Sequence, residues 1–548
     1  MSPRSATSTP NLPGRVAFVG AGPGDPGLLT VAATTLLEQA DVVVIDHVAR
    51  EEFIERFTRP DVTVIDAGTS SLSHGDHGRP LTHAAKARLV VKAAKSLRSA
   101  GGGLVVRLLD GDPGMFAGLA EEALACQKAG IAFDIVPGVS AVGAVPAYAG
   151  IPLTSSRSRA VHVCHGAESI DESIAADTES TVVLLGTPDV IGAALARLLE
   201  AGRDGSAPVA ITENGTAVQQ RTVVTTLAEC GADLPSTKFP AMAVVGPTVA
   251  LREQLSWFET KPLFGWDVLV PRTKEQSEAV RTRLAQHGAT ATVVPTISVE
   301  PPRTPHQMDK AIKGIVTGRY EWIGFTSVNA VKAIREKIED CGLDARVFAG
   351  LKLAAVGGVT ADALRAWGLN PDLVPAGEQS ARGLLEEWPP YDEVLDPINR
   401  VLLPRADIAT ETLVAGLAEM GWEVDEVTAY RTVRAAPPAP EIRAAIKGGL
   451  FDAVLFTSSS TVRNLVGIAG KPHPNTVIAC IGPATAKTAE DHGLRVDVLA
   501  PRADSLALVD ALADHGGCLA ATALEAGEEV ERPSLRRPAG RRRAKRNY

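Results

Sequence analysis

Aromatic residues and cysteines are scarce in this chain of 548 residues. Aromatic residues make up 4% of the sequence, and its six cysteines lie far apart without a Cys-x-x-Cys pair. This spacing favours isolated structural thiols over disulfides or a zinc site. Cys164 and His165 are adjacent, but no partner motif completes a metal site. The abundance of alanine, valine, glycine and leucine is typical of packed α/β layers.

Long apolar runs are also missing, since none approaches the roughly 18 residues of a membrane span. The first 14 residues are polar and rich in Pro, Ser and Thr, which is unlike a signal peptide. We therefore expect a flexible arm over 1–14 and a cytoplasmic protein without a membrane partner. The net charge of −9 argues against a general nucleic-acid binder. The stretch 519–548 ends in a run of basic residues without apolar periodicity, which predicts a disordered basic tail.

The second half of the chain contains an internal duplication. Three segments recur at a displacement of roughly 130 residues. They are VLVPRT and VLLPRA, FTSVNAV and FTSSSTV, and AAVGGVTADALRAWGL and ACIGPATAKTAEDHGL, which begin at residues 268 and 401, 325 and 456, and 354 and 479. Each copy reads as strand, helix, strand, then strand, helix, strand, helix, with short β-branched runs leading into amphipathic segments. The repeat predicts two α/β lobes.

A glycine-rich loop follows the first strand of the N-terminal half, in VAFVGAGPGDPGLLT at 16–30. Gly20 and Gly22 fit the start of a dinucleotide-binding fingerprint, and Asp46 ends a strand at a suitable spacing. Asp25, however, stands where the third glycine belongs. Two prolines also remove backbone N–H donors that a pyrophosphate would use. The loop therefore disfavours an NAD site, while a purely structural strand-to-helix turn stays open.

The whole N-terminal domain resembles the tetrapyrrole methyltransferases, in particular uroporphyrinogen-III C-methyltransferase. The resemblance covers about 230 residues within 15–255, and its motifs occur in the family's order. The matching segments are GAGPGDPGLLT, DVVVID, RLLDGDPGMF, FDIVPGVSAVGAVPAYAGIPLT, TVVLLG, ENGTAVQQRTVVTTL and PAMAVVG. Any one of these motifs is weak evidence, but their common order is specific.

This resemblance implies a two-lobed methylase fold that uses S-adenosyl-L-methionine. Methyl transfer from a sulfonium requires that the site holds the methyl donor and the acceptor in line and excludes water. Asp46 is implied as the general base, although a strand-end carboxylate that caps a turn is an alternative. The cofactor-binding positions implied are Pro23, Gly24, Asp110, Gly111, Asp112, Met115, Ser140, Ala141, Leu185 and Gly215.

The chain departs from the methyltransferase pattern at three places. It has DGDP followed by GMFAGLAEE where the family has GGDP followed by FVFGRGGEE, so an arginine is missing. A lysine of the family has no counterpart in 66–83, where His74, His77 and Arg79 could substitute. Leu185 stands where the family has methionine. A transferase-inactive domain that only binds S-adenosylmethionine or regulates the second half is therefore the alternative function.

The duplicated region, roughly 265–518, resembles uroporphyrinogen-III synthase. The matching segments are the repeated ones given above together with VTAYRT. Fused proteins place a methyltransferase before a synthase in this order, which implies a bifunctional enzyme of haem, sirohaem and cobalamin synthesis. The synthase family needs no cofactor and converts hydroxymethylbilane into uroporphyrinogen III. Methylation would then lead toward precorrin-2.

The synthase substrate carries several carboxylates, so hydroxyls and free N–H groups are expected around it. The two FTS segments place Thr326, Ser327, Thr457 and Ser458 at the carboxyl ends of strands, where open α/β sheets bind ligands. Capping of the following helices by the two serines is an alternative that is compatible with binding. We expect these four residues to contact the substrate.

Tyr430 and Thr485 occupy positions that the resemblance implies to be catalytic. Tyr430 would donate a proton to the departing hydroxyl, and Thr485 would hold an acetate or propionate group. A lobe-interface aromatic is the alternative for Tyr430. The resemblance also implies two interleaved flavodoxin-like lobes and a possible homodimer through the first domain. The stretch SWFETKPLFGW at 256–266, which is rich in aromatic residues, predicts a linker between the domains. The predicted boundaries are 15–255 for the methyltransferase, 256–265 for the linker, 266–302 with 436–518 for one lobe, and 303–435 for the other.

Overall fold

A computed structural model describes most of the chain. The described residues are 14–46, 54, 56–68, 81–231, 241–407 and 411–536. They divide into two compact units: a first unit of Met1–Trp266, Leu284–Thr290 and Ala513–Val530, and a second unit of Asp267–Arg283, Ala291–Leu512 and Glu531–Tyr548. No helix in the described ranges is both long enough and apolar enough to cross a bilayer.

The first unit begins with a five-stranded parallel sheet in the order β3-β2-β4-β1-β5. Its strands are β1 (Arg15–Gly20), β2 (Val42–Ile45), β3 (Thr63–Asp66), β4 (Leu104–Leu109) and β5 (Phe133–Val136). The helices of this lobe are α1 (Val31–Gln39), α2 (His83–Ser99), α3 (Leu119–Lys128) and α4 (Ala141–Tyr148). Strands β1, β2 and β4 are almost continuously buried, as expected when both faces of a parallel sheet are covered.

A second, mixed sheet completes the first unit, in the order β6-β7-β10-β8-β9. Only β6 and β7 pair in parallel, whereas β10 is antiparallel to both of its neighbours. The elements are β6 (Val161–Cys164), α5 (Glu172–Ala176), β7 (Thr181–Gly186), α6 (Pro188–Glu200), β8 (Pro208–Glu213), β9 (Arg221–Thr226), β10 (Ala241–Val245) and α7 (Arg252–Leu255). The two-lobed architecture expected for this domain is confirmed.

The second unit contains two further five-stranded sheets. One has the order β12-β11-β18-β19-β20 and the other β13-β17-β16-β14-β15. Along the chain, the elements of the first copy are β11 (Asp267–Val270), α8 (Lys274–Gln286), β12 (Thr290–Val293), β13 (Ile297–Glu300), α9 (Pro305–Val316), β14 (Trp322–Phe325), α10 (Val328–Asp340), β15 (Lys352–Ala355), α11 (Gly358–Ala366) and α12 (Ala381–Glu387). Those of the second copy are β16 (Arg400–Ala406), α13 (Thr412–Glu419), β17 (Glu423–Arg434), α14 (Pro440–Gly448), β18 (Ala453–Phe456), α15 (Ser459–Ala469), β19 (Val477–Cys480), α16 (Pro483–Asp491), β20 (Val498–Leu499) and α17 (Ser505–Glu525).

The duplicated sequence does not form two sequential lobes, because the chain crosses between the sheets. β12 belongs to one sheet and β13, only a few residues later, to the other. β17 pairs in parallel with β16 through most of its length, and its last residues pair antiparallel with β13. The first sheet has the strand order 2-1-3-4-5 when numbered along the chain, which is the flavodoxin-like order. The second has the same order if β14 is counted first and β13 last.

The predicted tail needs a correction at its start. Residues 519–525, expected to be disordered, continue helix α17. Gly516 and Gly517 resemble a helix stop in sequence, but Gly516 lies inside the helix, where a Cβ would come within 2.6 Å of the Pro262 carbonyl oxygen. Close packing therefore explains the glycine. A short 3-10 turn follows at Pro533–Leu535; residues 537–548 and the predicted arm up to residue 13 lie outside the described residues.

The segment predicted as a linker, 256–265, belongs to the first unit and packs against it. The Trp257 indole donates to the Ala147 carbonyl at 2.9 Å. Trp257 and Phe258 both make edge-on ring contacts with Tyr148, with centroids 5.1 and 4.7 Å away. Aromatic pairs of this geometry add to the free energy of packing. The segment is thus part of the first unit and packs against the end of α4.

Candidate functional site

Backbone crosses backbone at the carboxyl ends of β1 and β4. Gly22 and Gly111 exchange two hydrogen bonds of 3.1 and 2.9 Å between their N–H and carbonyl groups. Gly138, in the loop after β5, lies so close that a Cβ on it would be 2.2 Å from the Gly111 carbonyl oxygen and 2.7 Å from the Gly20 Cα. Glycine is required here because no side chain has room. We name this arrangement the glycine crossing.

Asp112 holds the loops of the glycine crossing in place. Its carboxylate accepts from the Gly114 N–H at 2.8 Å and from the Gly138 N–H at 3.0 Å. The loop after β4 is thereby fixed to the loop after β5. Ser140 then caps α4, since its hydroxyl accepts from the Val142 N–H at 3.2 Å. These contacts leave a wall composed largely of backbone.

The loop after β8 closes on the glycine loop from the second sheet. The Thr216 hydroxyl accepts from the Asp25 N–H at 3.1 Å. Thr216 and Asn214, on either side of Gly215, both have left-handed backbone, with φ of 67° and 49°. This conformation is costly for residues other than glycine, and such strain clusters at binding sites. A Cβ on Gly24 would lie 3.1 Å from the Gly215 carbonyl oxygen, so the two loops touch.

Tyr148 supports the same loop from behind. Its hydroxyl donates to the Asp25 carboxylate at 2.7 Å. Burial and this hydrogen bond raise the pKa of Tyr148. The phenol therefore remains a donor throughout the physiological pH range, and Asp25 is held as its acceptor.

Asp46 lies in a cluster of four charged side chains just beyond β2. The Arg107 guanidinium donates to Asp46 Oδ1 at 2.8 Å, and the Lys86 ammonium lies 3.1 Å from the same oxygen. Arg107 is fully buried and also makes a two-pronged pair with Glu122, at 2.7 and 2.9 Å. Burial by itself lowers the pKa of Arg107, but its contacts with Glu122 and Asp46 outweigh this and raise it. The cluster balances two positive and two negative charges.

In the second unit, Tyr430 and Ser327 meet although they are 103 residues apart in sequence. Their hydroxyl oxygens are 2.9 Å apart. Ser327 follows β14 and caps α10, where its hydroxyl accepts from the Ala330 N–H at 3.1 Å. Tyr430 lies on β17 and is 8% exposed. The two copies of the duplication thus contribute one residue each to a hydroxyl pair that spans the carboxyl end of β16, the strand between β14 and β17.

The repeat equivalent, Ser458, caps α15 through a reciprocal capping box with Thr461. The capping that we considered for both serines is therefore present. Thr326 and Thr457 are half-buried directly before the two caps. Thr485 lies in the first turn of α16 and is buried. Its neighbour Thr488 donates to the Ser459 hydroxyl at 2.9 Å, which ties α16 to α15.

Two family models match the chain. The model of tetrapyrrole (corrin/porphyrin) methylases matches residues 15–231, and that of the uroporphyrinogen-III synthase HemD matches residues 278–510. The porphyrin biosynthesis protein HemD of Ruminiclostridium josui is 33% identical over 517 residues, which cover 92% of this chain and 98% of that protein. The chain belongs to the family of fused tetrapyrrole methylases and uroporphyrinogen-III synthases. It therefore joins a C-methyltransferase domain and a synthase domain of tetrapyrrole biosynthesis.

Other relatives match the chain with more limited coverage. The siroheme synthase 2 of Cronobacter sakazakii is 38% identical over 254 residues, which cover 45% of this chain and 53% of that protein. The chain thus spans about half the length of that relative. The uroporphyrinogen-III C-methyltransferase of Bacillus subtilis is 33% identical over 329 residues, 58% of this chain and 64% of that protein.

Solved structures resemble each half separately. The uroporphyrin III C-methyl transferase from Thermus thermophilus has 28% identity and a TM-score of 0.36, and the alignment covers 43% of this chain and 100% of that one. A uroporphyrinogen III synthase from the same organism has 20% identity and a TM-score of 0.32, with 46% and 98% covered.

Most of the predicted cofactor positions come together in the methylase domain. A Cβ on Gly111 would be 3.5 Å from the Ala141 nitrogen, and one on Gly215 would be 2.5 Å from Val145. Leu185, on β7, packs in the same apolar cluster as Ala141. Pro23 and Gly24 are half-buried in the glycine loop, whereas Asp110 and Met115 are exposed beside it. His74, His77 and Arg79 lie outside the described residues.

Sequence reasoning missed the charged partners of Asp46. Arg107 and Glu122 lie within matched or adjacent segments, yet neither was chosen as a site residue. A signal existed for Arg107, because it is the one charged residue in the otherwise apolar strand LVVRLL. A charge in such a strand is rarely buried without a partner. Lys86 gave no such signal, since surface lysines are common on helices.

Proposed function

We propose that the synthase domain converts hydroxymethylbilane into uroporphyrinogen III and that the methylase domain methylates this product toward precorrin-2. The observation that carries the proposal is the presence in one chain of both domains, since one makes the macrocycle that the other modifies. We further propose that the protein acts in the cytoplasm, and that any homodimer forms through the methylase domain.

S-adenosylmethionine fits the glycine crossing as the methyl donor. Bound there, it would supply an electrophilic methyl group. The loops offer backbone donors and acceptors at close range, because glycines at positions 20, 111 and 138 leave no side chain in the way. The strained loop at Asn214 and Thr216 would close over the opposite side. We assign the holding of the donor to Gly24, Gly111, Asp112, Ala141 and Gly215.

Asp46 is proposed as the base that takes the proton lost from the macrocycle after methylation. The cluster around it fixes the position of the carboxylate, because the buried Arg107 guanidinium donates to one of its oxygens at 2.8 Å. The Asp46 side chain is only 14% exposed, so contacts within the protein, and not solvent, fix the position of its carboxylate relative to an acceptor.

In the synthase domain, the Tyr430 hydroxyl is proposed to protonate the departing hydroxyl of hydroxymethylbilane. The carbon–oxygen bond breaks and water leaves with the donated proton. The last pyrrole then attacks the carbon that lost the hydroxyl, inverts through a spiro intermediate, and loses one proton as the macrocycle closes to the type III isomer. Ser327 holds the phenol in place at 2.9 Å. Thr326, Thr457 and Ser458, together with the N-termini of α10 and α15, would bind substrate carboxylates. Thr485 would contribute its hydroxyl at the start of α16.

The decisive experiment incubates the pure protein with hydroxymethylbilane, with and without methyl-labelled S-adenosylmethionine, and identifies the macrocycle after oxidation. The type III isomer should form without added cofactor, and label should enter it only when the donor is present. Formation of the type I isomer alone, which arises spontaneously, would contradict synthase activity. Unlabelled type III product with retained donor binding would point to a regulatory first domain.

Replacing Gly138 by alanine should abolish donor binding at ordinary concentrations. The new Cβ would lie 2.2 Å from the Gly111 carbonyl oxygen, so the backbone must move. Displacements of about 1 Å at a site can cost about 10²-fold in activity. Calorimetry with S-adenosylhomocysteine on the full-length protein measures the effect. Gly143→Ala is the matched control, since a Cβ there meets nothing within 4 Å. Equal affinity of the two variants would contradict the assigned site.

Asp46→Asn should reduce methyl transfer while leaving donor affinity unchanged. The amide keeps an oxygen for the Arg107 hydrogen bond but cannot take a proton, and loss of a general base typically costs about 10²–10⁴-fold. Initial rates of label transfer to uroporphyrinogen III provide the measurement. Asp41→Asn is a control, because Asp41 lies at the opposite end of β2, where it pairs with Arg59 and accepts from the Leu104 N–H. Transfer within about twofold of the parent rate would show that Asp46 only stabilises the strand end.

A further inference from the structure

Helix α2 brings a lysine to the base proposed for methyl transfer. The Lys86 ammonium lies 3.1 Å from Asp46 Oδ1, and both side chains are 14% exposed. Lys86 is not within any of the segments that resemble the methyltransferases. It is nevertheless, with Asp46, the partly exposed part of the charged cluster, since the side chains of Arg107 and Glu122 are fully buried.

Arg107, the other cation of the cluster, makes its hydrogen bonds within the protein interior. Arg107 has no exposed surface, pairs with both oxygens of Glu122, and donates to the carbonyls of Val44 and Leu108. Its donors are therefore used within the fold. A lysine ammonium has three donors on a flexible stem. Lys86 can keep one contact with Asp46 and still present a donor outward.

The same face of α2 also reaches the loop after the glycine crossing. His83 lies one turn before Lys86, and residues three apart share a helix face. A Cβ on Gly118 would come within 1.9 Å of the His83 ring, so the imidazole fills the space beside that glycine. Gly118 is where the family pattern FVFGRGGEE has its arginine. The ring of His83 and the Phe116–His165 stack both line a cavity of about 700 Å³.

We propose that Lys86 is the positioning residue that binds a carboxylate of the tetrapyrrole acceptor beside Asp46. This rests on the proposed methyl transfer. An acceptor rich in carboxylates would otherwise approach the anionic Asp46 against electrostatic repulsion. Lys86 neutralises the charge of Asp46 and donates a charge-assisted hydrogen bond to a carboxylate of the acceptor. Helix α2 thus supplies positive charge beside the GDP loop, where the arginine of the family pattern is missing.

The test compares three variants of the full-length protein: Lys86→Met, Lys86→Arg and Lys92→Met. Lys92 is exposed on the same helix and serves as the control. Initial rates of label transfer are measured against uroporphyrinogen III concentration. Lys86→Met should raise KM about tenfold or more, the loss expected for one charged hydrogen bond, and weaken the salt dependence of KM. Lys86→Arg should stay within about threefold of the parent, because it keeps the charge.

Donor binding separates positioning from a structural role. The affinity for S-adenosylhomocysteine should be the same in all three variants. If Lys86→Met loses donor affinity and thermal stability together, Lys86 only supports the fold and the proposal is overturned. A KM for Lys86→Met equal to that of Lys92→Met also overturns it, and leaves the proposed methyl transfer intact. No transfer by the parent protein overturns both.

Discussion

Tyr430→Phe is expected to slow formation of uroporphyrinogen III by about 10²–10⁴-fold, the usual contribution of a general acid. The substitution removes one hydroxyl and keeps the buried ring, so the fold should be retained. Ser327 loses a partner at 2.9 Å but still caps α10 through the Ala330 N–H. The measurement is the initial rate of the type III isomer, separated from the spontaneous type I isomer after oxidation.

Tyr320→Phe is the matched control for this variant. Tyr320 is also a buried tyrosine of the same sheet region, and its hydroxyl bonds to Asp425 at 3.1 Å and not to a strand-end serine. Loss of that hydrogen bond should cost about 0.5–1.5 kcal/mol of stability without slowing ring closure. If both variants retain the parent rate, Tyr430 is a packing aromatic between the strands.

Arg107→Met should strongly destabilise the methylase domain. Glu122 would be left as a fully buried carboxylate without its two-pronged partner. Removal of one member of a buried ion pair typically costs about 3–5 kcal/mol. Native-state hydrogen exchange of peptides from β4 in the full-length protein measures the loss. Arg15→Met, which breaks a partly exposed pair with Asp134, should change the stability by at most about 1 kcal/mol.

The double variant Arg107→Met/Glu122→Leu distinguishes the ion pair from simple packing. Both buried charges are then absent, while Asp46 retains Lys86. Replacement of a whole buried pair by apolar residues is often close to neutral. The double variant should therefore be more stable than Arg107→Met. A double variant that is less stable than either single variant would contradict this account.

The sequence by itself determined the fold class and the two domains. Each duplicated segment and each loop motif is a short stretch of consecutive residues. The hydrophobic period and the turn residues that identify such a stretch can therefore be recognised without knowing the tertiary structure. The caps at Ser327 and Ser458 could be predicted for the same reason, because a hydroxyl after a strand and before a helix acts within three residues. The glycines of the crossing were also visible as a motif.

Only the tertiary structure decided which distant residues meet. Tyr430 joins Ser327 across 103 residues, and Lys86 and Arg107 converge on Asp46 from a helix and a neighbouring strand. The crossing of the chain between the two synthase sheets likewise depends on strand pairing, since β12 and β13 are nearly contiguous in sequence. Such contacts depend on sheet order and helix placement, which local patterns do not encode. For that reason the loops could be predicted from the sequence and their charged partners could not.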